Sequence, residues 1–190
     1  MEQKLTENKT FEKKDFSKSP LYRGDYELCK FINCDFSEAS LSLINFIDCE
    51  FVSCNFSLAR FGETGLRDVI FKECKMIGLH FENCAEFGLS FSFESCILNH
   101  SSFYKRKIQK TYFKDCQLHE TDFTECDLTG AVFDNCDLER AVFINSIIEK
   151  TDFRTSYNYT IDPEINKIKK TKFSKDGLAG LLSKYDIKIE

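Results

Sequence analysis

The sequence predicts an all-β solenoid, on three observations. Large apolar residues recur every five positions, a small residue stands two places before each, and the cysteines fall on those small places. In "FTECDLTGAVFDNCDLERAVF" the large residues are Phe123, Leu128, Phe133, Leu138 and Phe143, preceded by Cys126, Ala131, Cys136 and Ala141. Helices repeat near 3.6 residues and strands at 2, so neither alone gives a period of five. Self-similarity at a fixed period marks a stacked repeat architecture.

Stepping by five from Phe11 reaches a large apolar residue every time as far as Phe81, and stepping from Phe93 does so as far as Phe153. All 28 positions hold in a chain that is 42% hydrophobic. Chance would do this about once in 10¹⁰ for independent positions, so the periodicity is decisive. The domain reading follows: a lead-in over 1–10, a repeat body over 11–153 with a phase break near 83–93, and a connector with a C-terminal tail over 154–190.

The ten cysteines would suggest a disulfide framework in a small secreted chain or metal sites in a cytosolic one. The repeat argues against both. Cys29, Cys34, Cys49, Cys54, Cys74, Cys96, Cys116, Cys126 and Cys136 lie two before a central position, as does Cys84 if its repeat centres at residue 86. Residues two apart in extended chain point the same way, so each thiol shares the interior as a small hydrophobe. Ala, Ser and Thr fill the equivalent places elsewhere (Ala39, Ser101, Thr121), so the cysteines are packing and not ligands. No metal or cofactor is expected.

A central Phe or Leu, a small residue two before it and a polar residue between them resembles the pattern of pentapeptide-repeat proteins. Here it reads "CDF" at Cys34–Phe36, "CNF" at Cys54–Phe56, "TDF" at Thr121–Phe123 and "CDL" at Cys126–Leu128 and Cys136–Leu138. The resemblance implies a right-handed quadrilateral β-helix of about seven coils, with four pentapeptides and 20 residues to each. Residues 20 apart should then stack at the strand spacing of about 4.8 Å. Phe93, Phe113, Phe133 and Phe153 would form one interior ladder and Phe103, Phe123 and Phe143 the opposite one, with Leu98–Leu118–Leu138 and Ile108–Leu128–Ile148 between them. On the outside, Lys107 would lie over Asp127, Lys114 over Asp134 and Glu120 under Arg140.

Phe81 to Phe93 is twelve residues, which shifts the phase by two. A protruding loop around Ala85–Ser92, including Ala85, Glu86, Phe87, Gly88 and Leu89, is expected there. It is either a contact loop on a rigid scaffold or a tolerated insertion. Arg106 stands where a small inward residue belongs, and marks either a corner distortion or a local basic spot. Beyond Phe153, "SKDGLAGLLSKYDIKIE" reads as a short α-helix with Ser174 as N-cap and an apolar stripe of Leu178, Leu181, Leu182 and Tyr185. A terminal "IKI" strand follows. The stripe either plugs the solenoid end or docks on a twin copy.

Repeats followed by "GLAGLLSKYDIKI" resemble the Qnr, MfpA and McbG quinolone-resistance group. That resemblance implies a homodimer joined through the C-terminal tail. It also implies an acidic, DNA-mimicking rod that binds DNA gyrase or topoisomerase IV and protects the enzyme from quinolones. The candidate acidic face is Asp115, Glu120, Asp122, Glu125, Asp127, Asp134, Asp137 and Glu139, a span without Lys or Arg. Duplex DNA carries about one charge per 1.7 Å. Residues 15–100 have a net charge of only −6, so any mimicry is local and confined to selected faces. The alternative is a structural or interaction scaffold for another protein.

Composition excludes several other classes. A formal net charge of −5 disfavours general nucleic-acid binding, so no direct nucleic-acid partner is expected. The charged N-terminus lacks a signal-peptide core and no long apolar run occurs, so no membrane association and a cytoplasmic location are expected. His80, His100 and His119 stand at unrelated repeat positions, and no nucleophile elbow, phosphate loop or zinc-protease motif appears. The chain reads as a non-enzyme.

Overall fold

A computed structural model describes residues 4–185, 187 and 188 of the chain. The backbone winds as a parallel β-solenoid of about seven turns with very little helix. Each turn has four faces, numbered here in chain order. The first carries β1 (Lys4–Glu7), β3 (Gly24–Glu27), β5 (Asn45–Ile47) and β7 (Gly65–Arg67) in a parallel four-stranded sheet. The second carries β2 (Thr10–Glu12), β4 (Lys30–Ile32), β6 (Glu50–Val52), β8 (Val69–Lys72), β9 (Phe91–Glu94), β10 (Tyr112–Lys114) and β11 (Val132–Asp134) in a parallel seven-stranded sheet. The third and fourth faces are held by single bridges such as Asp35↔Asn55 and Ser102↔Asp122.

The register is twenty residues per coil: Phe31 lies against Phe51 and Phe113 against Phe133. Rings of one ladder stack face to face, with Phe93–Phe113, Phe113–Phe133 and Phe133–Phe153 centroids 5.2, 4.7 and 4.8 Å apart. The opposite ladder, Phe103–Phe123–Phe143, stacks at 5.2 and 5.1 Å. The two walls also touch edge to face, as at Phe103–Phe113 (6.1 Å), so the tube is filled.

Corners need the chain to turn through a right angle. Residues two after the central position take φ of 50–63° almost throughout, among them Asn33, Glu38, Asp48, Glu120 and Lys150. This left-handed conformation costs a non-glycine residue on the order of 1 kcal/mol. It is offset because most such corner amides point to the next coil: Asn33 N–H donates to Val52 O (2.9 Å) and Glu120 N–H to Glu139 O (2.9 Å).

All ten cysteines are free and buried. They do more than fill space. Cys49 Sγ donates to the carbonyl of Tyr26 (3.2 Å) and Cys54 Sγ to that of Phe31 (3.4 Å), 23 residues earlier in each case. Thr121 and Ser146 hydroxyls make the same bond to Leu98 and Phe123. Cysteine, serine and threonine interchange here because each offers one inward donor to an inner carbonyl of the preceding coil.

The coil extends beyond both expected limits. β1 already pairs with β3, Lys4 against Gly24, so residues 4–10 belong to the first coil and not to a lead-in. At the other end Ile147 bridges Lys167, Asp152 bridges Lys172, and Phe173 stacks on Phe153 at 5.6 Å. The five-residue frame persists at Ile168 and Phe173 but loses its apolar residues at Asn158 and Pro163. That loss concealed the last turn.

The tail forms 3₁₀ turns at Asp176–Leu181 and Ser183–Tyr185, not the expected α-helix. Lys175, not Ser174, stands at the N-cap, although Ser174 Oγ accepts the Gly177 N–H at 3.0 Å. The tighter turn follows from close packing on Tyr159. A Cβ at Gly177 would meet the Tyr159 ring, and one at Gly180 the Tyr159 carbonyl. Residues 187 and 188 of the expected terminal strand are irregular. Ile189 lies outside the described residues.

Candidate functional site: a clamped loop on the first face

The two sequence irregularities, the phase break and Arg106, are one structural feature. The two extra residues are absorbed entirely on the first face. Around it the ladders continue unbroken, with Phe71–Phe93 at 5.4 Å and Phe81–Phe103 at 4.4 Å. A 3₁₀ turn at Phe81–Asn83 leads into the loop, and β9 resumes at Phe91, so the excursion spans 84–90.

Its ends are tied to the preceding coil. Ala85 N–H donates to Thr64 O (3.0 Å) and Ser90 N–H to Leu66 O (2.9 Å). Ser90 Oγ accepts from Asp68 N–H (2.7 Å) and donates to the Asp68 carboxylate (2.9 Å). Between these ties, Leu89 folds back against the core while Glu86 and Phe87 point outward, Phe87 80% exposed. The expected inward place near Glu86 is therefore empty of it, because an unpaired carboxylate in the dry tube would carry a heavy desolvation cost.

Two arginines hold the loop from the coils on either side. Arg106, its side chain only 16% exposed, donates to the carbonyls of Glu82 and Cys84 and lies 3.4 Å from the Glu86 carboxylate. It replaces the ladder bonds that the excursion removes. On the other side the Arg67 guanidinium lies 5.3 Å from the Phe87 ring centre, a cation–π contact of about 0.5–1 kcal/mol at an exposed site. Glu86, Phe87, Leu89, Arg106 and Lys107 line a hollow of about 350 Å³.

The eight candidate acids do not share a face. Asp127 bridges Lys107 on the first face, Asp134 pairs in register with Lys114 on the second, Asp137 bridges Gln117 on the third, and Asp122 bridges Ser102 on the fourth. Asp115, Glu120 and Glu125 stand at corners with positive φ, and Glu139 follows the third-face centre Leu138. Five residues are a quarter turn, so a span of 25 residues circles the rod completely. Most of these groups also have partners: Glu120 with Arg140 (3.2 Å), Glu125 with Lys105 (3.6 Å), Asp137 with His119 (2.8 Å), Asp127 with Gln109 (2.6 Å) and Asp134 with the Tyr112 hydroxyl (2.9 Å). Of the three expected cross-coil charge pairs, Glu120–Arg140 forms. Lys114 turns to Glu94 instead (2.7 Å), and Asp127 takes Gln109.

The candidate dimer residues divide. Leu181 packs on the chain's own core, and Leu182 is half-buried. Leu178 and Tyr185 are about half exposed. Lys184 ties the tail down through Asp162 (2.8 Å) and Glu164 (2.6 Å), and the Tyr185 hydroxyl donates to Glu164 (2.8 Å). Leu181 thus covers the chain's own solenoid end, and Leu178 and Tyr185 are left half exposed beside it. No helix among the described residues is long and apolar enough to cross a membrane.

These features define a class: a four-faced β-solenoid paced in fives, with one face interrupted by a clamped loop. The family model for the pentapeptide repeat region matches residues 25–91 and 89–158. The chain belongs to the pentapeptide-repeat family. Among solved structures it is similar to a trypsin-treated form of QnrB1, a plasmid-mediated fluoroquinolone resistance protein, at 15% identity and a TM-score of 0.57 over 100% of both chains. It is also similar to HetL, involved in heterocyst differentiation regulation in the cyanobacterium Nostoc sp. strain PCC 7120, at 12% identity and a TM-score of 0.46 over 90% of this chain and 84% of that one. No curated protein sequence matches the chain.

Proposed function

We propose that this chain is a non-catalytic protein-binding rod whose contact element is the loop Ala85–Leu89, and that its partner is a type II topoisomerase, DNA gyrase first. The observation that carries the reading is Phe87, an almost fully exposed aromatic on a loop clamped between Arg67 and Arg106. Exposed aromatics on preorganised supports are the residues that dominate protein interfaces. The whole-length likeness to a fluoroquinolone resistance protein supports the partner class. Imitation of duplex charge by the whole rod is not part of this reading, because the acids are spread over four faces and the corners between them. The buried thiols are poor nucleophiles, which supports the absence of covalent catalysis.

Gyrase supercoiling under a fluoroquinolone, with and without the protein, is the test. Wild type restores supercoiling, and Phe87→Ala raises the concentration needed on the order of 30-fold, a loss of about 2 kcal/mol. The same titration with Leu178→Asp/Leu182→Asp asks whether the tail takes part by pairing two rods. No restoration at any protein concentration removes the topoisomerase from the proposal. The remaining reading is then a scaffold for another protein, which the dispersal of charge over four faces favours.

A further inference from the structure

The first face changes character beyond the loop. Lys107, Asp127, Ile147 and Lys167 bridge one another in succession along it, and the Lys150 amide donates to Lys169 O at 3.0 Å. Lys110, Gly130, Lys150 and Lys170 follow one another at the adjacent corner, twenty residues apart. Lys107, Lys110, Lys150, Lys167, Lys169 and Lys170 therefore share one side of the rod, against Asp127 and Glu149. All six are exposed. Among the described residues Lys110, Lys150, Lys167, Lys169 and Lys170 form no ion pair, unlike Lys30, Lys72, Lys105, Lys114, Lys172 and Lys184; Lys9, Lys13, Lys14 and Lys75 elsewhere on the rod are likewise unpaired but do not share one side of it.

We infer that this half of the first face binds the phosphate backbone of nucleic acid, without base specificity. Lys150 and Lys170, one coil apart at the adjacent corner, repel one another at about the 4.8 Å strand spacing, and a polyanion relieves that repulsion. Beyond the loop the centre of this face carries none of the exposed large hydrophobic side chains; Phe87 stands on the loop itself and Ile165 at the bounding corner. Protein interfaces are depleted in lysine and centre on aromatic or arginine anchors, so a protein partner fits this surface poorly. A flat array of flexible ammonium groups suits the phosphates of a polymer.

The net charge of −5 is no obstacle, since charges beyond about 10 Å are largely screened at 0.1 M salt. A bound strand meets one face, not the average of four. The inference does not need the topoisomerase reading, and of its lysines Lys107 borders the loop hollow.

The test is fluorescence anisotropy of labelled duplex and single-stranded oligonucleotides of unrelated sequence, titrated with the protein over a potassium chloride series. Binding is expected to weaken with salt at a log–log slope of about −3 to −4, the release expected for roughly four phosphate contacts. Lys150→Glu/Lys167→Glu/Lys169→Glu/Lys170→Glu abolishes it. Lys9→Glu/Lys13→Glu/Lys14→Glu/Lys75→Glu, equal in net charge but placed elsewhere, retains the slope. Circular dichroism confirms that both variants fold. Three outcomes overturn the inference: no binding by wild type at low salt, equal loss in both variants, or binding only to vesicles of anionic lipid.

Discussion

Arg106 lies one coil beyond Cys84, 22 residues along the chain, and its guanidinium donates to the Cys84 carbonyl at 3.5 Å. It occupies the small inward position of its own repeat, yet its side chain runs outward to grip the loop. A residue that breaks the repeat rule is the residue that makes the break in phase tolerable.

Arg106→Ala should therefore free the loop without unwinding the rod. Hydrogen bonds to charged groups contribute about 1.5–3 kcal/mol, so a drop in stability at the lower end of that range is expected. Amide exchange at Leu89 and Ser90 should quicken while that at Phe113 does not. Arg106→Lys cannot reach both carbonyls with one point charge, and should fail to restore protection. Unchanged loop exchange in the alanine variant would remove the clamp from the account.

Two phenylalanines should respond oppositely to truncation. Phe113 lies between Phe93 and Phe133 at 5.2 and 4.7 Å and is fully buried. Phe113→Ala should cost about 3–5 kcal/mol in denaturant unfolding. Phe87→Ala should cost no more than about 1 kcal/mol, the upper worth of its contact with Arg67. Similar costs at both sites would contradict the division into core and contact residue.

Burial pushes the Cys49 thiol up to about 11 and raises Cys84 and Cys126 as well. Native protein near neutral pH should thus react with a thiol reagent only as fast as it unfolds, and all ten thiols should titrate in guanidinium. A subset reacting at once in the native state would show that the tube admits solvent.

Asp152 fastens the last turn. Hydrogen bonds from the Arg154 guanidinium, 2.8 Å away, hold its carboxyl down at about 2, and Lys172 adds a contact at 3.3 Å. Its folded value is below the ordinary value of about 3.9. The stabilisation is therefore complete above that value and is lost as pH falls through about 2. The melting temperature of wild type should fall more steeply between about pH 4 and pH 2 than that of Asp152→Asn, which lacks this titration. Parallel curves would exclude Asp152 as the acid-sensitive fastening.

Gly180→Ala should lift the tail, because its Cβ would meet the Tyr159 carbonyl against which the turn lies. Limited proteolysis after Lys184 should accelerate while the cleavage pattern of the coils is unchanged. Equal cleavage rates would mean that the cap tolerates the displacement.

The interior was legible from the repeat alone. The pairing of Phe93 with Phe113, the burial of every cysteine and the site of the phase break all follow from counting fives and twenties. The wrapping of the acids around four faces was equally countable, since Asp122, Asp127, Asp134 and Asp137 differ in their place within the twenty. The last turn was hidden because Asn158 and Pro163 replace apolar centres, while the register survives at Ile168 and Phe173.

What the sequence by itself determined is the period, and through it the inside and outside of every repeat, because an interior of uniform width accepts only residues of the right size at fixed intervals. What only the tertiary structure decided is which outer residues meet. Lys114 takes Glu94 rather than Asp134, Arg106 grips a loop from the neighbouring coil, and Leu181 turns to its own core. Long polar side chains choose among several partners within reach at similar energy, and a weak glycine-containing turn takes its shape from the surface it covers. Such choices depend on distances that no periodicity encodes.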